Sequence, residues 1–117
     1  MENKTGGILD ILVLKLKPGK RTEFDRVYRE LSLPMLKRWS VDVIAFGPSE
    51  GEEETYLVVR HYKDLAERKQ SQDAYYESAE WKQGPREQIM PLVESFTTVM
   101  IPSNEGLLEG FSQFSVF

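Results

Sequence analysis

The sequence predicts an α+β domain: four strands in one antiparallel sheet, with two helical segments covering one of its faces. Three observations carry this. "ILDILVLKL" and "TYLVVRHY" are short runs of strand-forming character with residues of both parities available for burial. An apolar period of helical spacing follows the first of them. "PSEGEEE", with its Pro and Gly, joins "VDVIAFG" to "TYLVVRHY" as a hairpin.

The elements follow in order. Ile8–Leu16 is the first strand, broken by Pro18 and Gly19 in "KPGK". Phe24, Val27, Tyr28, Leu31 and Met35 then recur at helical spacing with charges between them. Pro34 falls inside that period. It lacks a backbone donor, so the helix should kink or end near Leu33, with continuation to about Arg38 beyond the kink. Val41–Gly47 and Thr55–Tyr62 form the hairpin. Asp64, with Glu67 three residues on, caps the next helix, whose run to Ala74 is polar and therefore largely exposed. Tyr75, Tyr76 and Ala79 are its expected contacts. Ser78 caps a further short segment, Gly84-Pro85 and Pro91 interrupt, and Glu94–Ile101 is the fourth strand. After "PSNEG" the tail is rich in Leu and Phe and is expected to pack on the body or on a partner. The order strand, helix, strand, strand, helix, strand is the split βαβ, or ferredoxin-like, arrangement, in one domain spanning 1–117 with a core of about 8–102 and an apolar tail of 103–117.

Bulk composition narrows the function classes. The chain has 117 residues, 40% hydrophobic and 29% charged, which suits a globular domain with its own core. With no cysteine, disulfide and thiolate chemistry are excluded. A net charge of −4 argues against a phosphate-tracking nucleic-acid binder. No apolar run approaches the roughly 20 residues of a membrane span, and "MENKTGGILD" lacks a signal-type apolar region, so a cytoplasmic location is the expectation. Glu50, Glu52, Glu53 and Glu54 crowd the hairpin turn. They suggest a solvated tip rather than a cation site, because calcium loops demand a specific oxygen spacing.

Strand parity sorts the remaining candidates. Leu9, Ile11, Val13, Leu57, Val59 and His61 share the face turned away from the helices. Left bare, they would make a large apolar patch, so a second copy of the chain related by a two-fold axis is expected to cover them. Val59→Asp should then weaken the dimer.

"LKLKPGKRTEF", "LPMLKRW", "HYKDLAER" and "SAEW", in that order, give the stretch from Ile8 to Pro102 a resemblance to the NIPSNAP family of the dimeric α+β barrel superfamily. The resemblance implies a homodimer whose sheets meet in a barrel, with pockets, where members have them, between sheet and helices of each subunit. It also implies neighbours among cofactor-free monooxygenases, isomerases and cyclases, and haem-degrading oxygenases that use a His on the second helix. This chain's sole His is His61, on a strand, and no cofactor or metal is expected. Leu12 and Val58 stand where the family often has polar residues, which weakens any role resting on those groups.

Asp10, Tyr56, Arg60 and Tyr62 have the parity of the helix-covered face, and Phe24 and Tyr28 could close the same space. Two phenols, a guanidinium and a carboxylate around an apolar pocket suit a small hydrophobic or aromatic acid, with Arg60 as anion clamp. Tyr56 or Tyr62 could donate to an oxyanion, and Asp10 could act as a base. The competing reading is a structural Arg60–Asp10 ion pair with half-buried tyrosines. Trp39 and Trp81 read as packing anchors, and His61 as a satisfied interface residue. Three functions stay open: a small-molecule-binding dimer, a cofactor-independent monooxygenase, isomerase or cyclase, and an interaction module without a ligand.

Overall fold

The computed structural model describes residues 4–114. Its sheet has the order β2-β3-β1-β4, all neighbours antiparallel. The strands are β1 (Ile8–Leu16), β2 (Asp42–Pro48), β3 (Thr55–Tyr62) and β4 (Val93–Pro102). The two central strands, β1 and β3, are the two whose bounds match the sequence reading. A central strand is bonded on both edges, so its ends are defined by neighbours as well as by its own residues. The hairpin tip between β2 and β3 is tied by Arg21, which donates to the carbonyls of Ser49, Glu52 and Thr55. Its carboxylates lie at the surface, as a solvated turn requires.

The first helical stretch is continuous from Arg21 to Arg38 but changes pitch. Helix α1 (Arg21–Val27) passes into a π-turn (Tyr28–Ser32) and then α2 (Leu33–Arg38). Leu33 N–H donates to the Tyr28 carbonyl five residues back. Pro34, just beyond, can neither donate to Glu30 nor tolerate its carbonyl at normal pitch. Widening the turn relieves that conflict, and the helix proceeds to Arg38 with a change of pitch in place of a stop.

Helices α3 (Leu65–Glu77), α4 (Ala79–Gln83) and α5 (Pro85–Ile89), with a short 3-10 turn (Met90–Leu92), complete the layer. Both predicted caps form: Asp64 accepts from Glu67 N–H at 2.8 Å, and Ser78 from Trp81 N–H at 3.1 Å. Phe24, Val27, Tyr28, Met35, Leu36, Tyr75 and Ile89 bury against Leu14, Leu16, Phe46, Tyr56 and Val58, which forms the larger core.

The opposite face departs from expectation. The tail folds back as α6 (Glu105–Ser112), capped by Asn104, which accepts from Leu107 N–H at 2.9 Å. Leu107, Leu108 and Phe111 pack on a second core of Leu9, Ala45 and Val59. Leu9 and Val59 are completely buried within one chain. Part of the face expected to need a second copy is therefore closed by the chain's own tail, and Val59→Asp would injure the fold before it reached any interface. Ile11, Val13 and Leu57 are half-buried, and Val99 beside them is exposed. Phe114 is 38% exposed, its ring against Gly47. Phe117, also expected to pack, lies outside the described residues.

Candidate functional site

The site grows from one buried carboxylate. Asp10 and Arg60 are direct partners across β1 and β3, with side chains on the helix face. Arg60 donates to Asp10 Oδ1 through Nη2 at 2.8 Å and Nε at 3.3 Å, and its Nη1 donates to the Tyr76 hydroxyl at 2.9 Å. On α3, Arg68 Nε and Gln72 Nε2 donate to the other carboxylate oxygen, Gln72 at 3.2 Å. Asp10 is completely buried and Arg60 nearly so. Burying so many charges is tolerable because each has hydrogen-bonded partners. Burial by itself would lower the Arg60 pKa, but nearby Tyr76, Tyr62 and Asp10 outweigh it and hold the guanidinium more firmly protonated than usual.

Two guanidiniums share one carboxylate, which leaves the cluster a net +1 charge. Beside it lies a cavity of about 410 Å³ between sheet and helices, within the roughly 300–1,000 Å³ typical of ligand sites. Arg60, Arg68 and Arg86 all line it. Its deep wall is Phe24, Tyr28, Ser32 and Val58, and its mouth holds Arg86, Met90 and Phe96, which are exposed. Tyr75, Tyr76 and Trp81 form one side, with ring centroids 4.9 Å apart for Tyr75–Tyr76 and 5.0 Å for Tyr76–Trp81. Trp39 and Arg38 both bond Glu80, which ties the end of α2 to α4 behind this aromatic wall.

The polar atoms of the deep wall include two without partners. Among the described residues, the Tyr28 hydroxyl and Ser32 Oγ are buried with no hydrogen-bond partner. Burial pushes the Tyr28 phenol far above its ordinary value, and the Tyr75 phenol likewise, so both stay neutral donors. Among the described residues, the lining includes no carboxylate, imidazole or amine.

Of the residues proposed from parity, Arg60, Tyr28 and Phe24 line the cavity. Asp10 stands behind Arg60, with both oxygens engaged by donors. Tyr62 sits with it, 3.4 Å from Gln72 Nε2. Tyr56 points elsewhere, donating to Asp25 at 2.6 Å. On the other face, His61 Nε2 meets the Gly6 carbonyl at 2.7 Å. Ser32, Arg68, Gln72 and Arg86 were not singled out from sequence. Arg68, Gln72 and Tyr76 do fall at i, i+4 and i+8 on α3, a polar stripe of helical period. Among the described residues, no group of three metal-ligating side chains occurs, and no helix is long and apolar enough to cross a membrane.

Fold and site together define a ferredoxin-like α+β protein with a basic, aromatic-walled cavity under its helices. The NIPSNAP family model matches residues 9–103, and the chain belongs to that family. An uncharacterised NIPSNAP domain protein from Burkholderia xenovorans superposes with a TM-score of 0.73 at 16% identity, covering 80% of this chain and 91% of that one. A NIPSNAP family protein of unknown function from Agrobacterium tumefaciens gives 0.78 at 13% identity, covering 89% and 94%. A candidate antibiotic biosynthesis monooxygenase from Nitrosomonas europaea gives 0.62 at 14% identity, covering 84% and 99%. At these identities the likeness shows the fold alone. No curated protein matches the sequence.

Proposed function

We propose that this protein binds a small aromatic acid in the cavity between sheet and helices, and that it does so as a two-fold dimer joined through the opposite sheet face. The observation that carries the ligand is the guanidinium pair at the cavity wall, which one buried carboxylate neutralises only by half. An anion there completes the charge balance of the cluster, and the aromatic wall accepts the ring. The dimer rests on the apolar strip left beside α6, where Val99 is 51% exposed next to half-buried Ile11, Val13 and Leu57.

A cofactor-independent enzyme is the second reading. Ser32, Tyr28 and Tyr76 carry hydroxyls of the kind that stabilise a developing oxyanion. Among the described residues, the lining holds no carboxylate or imidazole to take a proton, so the reading of choice is binding, with proton abstraction second.

Thermal shift with 2-naphthoate and its neutral carboxamide tests the ligand class. The acid should stabilise the protein and the amide should not. A ligand at 100 times its Kd adds about 2.7 kcal/mol, enough to read as a melting shift of several degrees. Arg68→Met lowers the cluster from +1 to neutral and should erase the preference for the acid. Equal stabilisation by acid and amide in the parent protein would contradict the reading.

A further inference from the structure

The guanidiniums account for one end of a ligand. The deep wall holds a second feature that they do not use. Tyr28 and Ser32 are 6% and 2% exposed and both line the cavity, and among the described residues neither buried hydroxyl has a partner. Two other polar side chains bordering this space are committed: Tyr76 accepts from Arg60, and Gln72 donates to Asp10 and Tyr62. A buried hydroxyl without a hydrogen bond destabilises the fold, and native structures leave few of them. Two such groups, four residues apart on one helical face, are not an accident of packing at unrelated places. Both belong to the π-turn that Pro34 imposes, and turns of that kind recur at functional sites.

We propose that the ligand carries, apart from its acidic group, a carbonyl-type acceptor that takes hydrogen bonds from the Tyr28 hydroxyl and Ser32 Oγ. This rests on the aromatic-acid reading of the cavity and narrows it to acids with two polar ends. A carbonyl oxygen has two lone pairs and can accept from both hydroxyls at once. The guanidinium end then supplies attraction for the charge. The hydroxyl pair discriminates among acids, because an analogue lacking the acceptor leaves both donors desolvated and unpaired.

The test uses three compounds of nearly one shape: 4-benzoylbenzoate, 4-benzylbenzoate and the uncharged 4-methylbenzophenone. Calorimetric titration should show 4-benzoylbenzoate binding at least about tenfold more tightly than 4-benzylbenzoate, with 4-methylbenzophenone weaker than 4-benzoylbenzoate. In the Tyr28→Phe, Ser32→Ala double variant, the two acids should bind within about twofold of each other. Without ligand, Tyr28→Phe and Ser32→Ala should each leave the melting temperature unchanged or raise it, since each removes an unpaired buried group. Equal affinity for the two acids in the parent protein overturns this inference and leaves the aromatic-acid reading standing. A ketone preference that survives in the double variant also overturns it. So does a clear fall in the melting temperature of both single variants, which would make the hydroxyls structural. Failure of both acids to bind removes the inference together with the reading beneath it.

Discussion

The two faces of the sheet are built from the same strands and do opposite things. On β3, Tyr56, Val58, Arg60 and Tyr62 point under the helices, and Leu57, Val59 and His61 point away. The helix side buries a carboxylate and a guanidinium and keeps an open cavity beside them. The far side centres on Leu9, Ala45 and Val59, sealed by the apolar side chains of α6. The difference lies in what each cover supplies. Helix α3 brings Arg68, Gln72 and Tyr76 to Asp10 and Arg60, so charges can be buried with partners. Helix α6 brings Leu107, Leu108 and Phe111, which offer apolar area and nothing that would satisfy a charge. One face can therefore hold charged groups away from water, and the other offers apolar area alone.

The largest effect is expected at Asp10, where the two faces differ most. Asp10→Leu would leave Arg60 buried with only the Tyr76 hydroxyl as partner, facing Arg68 across an apolar side chain. Removing one member of a buried charged cluster costs about 3–5 kcal/mol, measurable by urea unfolding. Arg60→Leu should cost less, because Arg68 and Gln72 still donate to Asp10. A loss below about 1 kcal/mol for Asp10→Leu would mean that the cluster is not closed from water. Next in size is truncation after Asn104, which uncovers Leu9, Ala45 and Val59. Three half-buried side chains, at about half of the 1.5–3 kcal/mol of full burial each, give roughly 2–4.5 kcal/mol. An unchanged melting temperature and an unchanged mass in sedimentation would show that α6 does not seal that face. The smallest effect on folding is expected for Val99→Glu, within about 0.5 kcal/mol because the site is exposed. Its consequence should be on assembly: sedimentation at micromolar concentration should give a dimer for the parent chain and a monomer for the variant. A monomeric parent would remove the dimer from the account.

Much of the frame was legible because period and punctuation agree. Alternation in "TYLVVRHY" placed Arg60 under the helices without any long-range information, and "PSEGEEE" fixed the hairpin. The tail was readable as apolar but not as a helix, since Gly106 and Gly110 both lower helix propensity. What its residues cover depends on a contact between the two ends of the chain. Pro34 signalled a break, and local sequence could not say that a wider turn would absorb it. The site was half visible. Asp10 and Arg60 share parity, but Arg68 meets Asp10 across 58 positions, and a polar helix reads as exposed until its buried partner is known. Ser32 carries no local signal, because its meaning comes from the cavity it lines.

The most direct measurement is a crystal structure of the protein grown with 4-benzoylbenzoate. The compound is expected in the cavity under the helices, its carboxylate within hydrogen-bond distance of Arg60 or Arg68 and its rings against Tyr76 and Trp81. The compound seated on the far sheet face beside Val99, with that cavity closed or unaltered, would contradict that expectation.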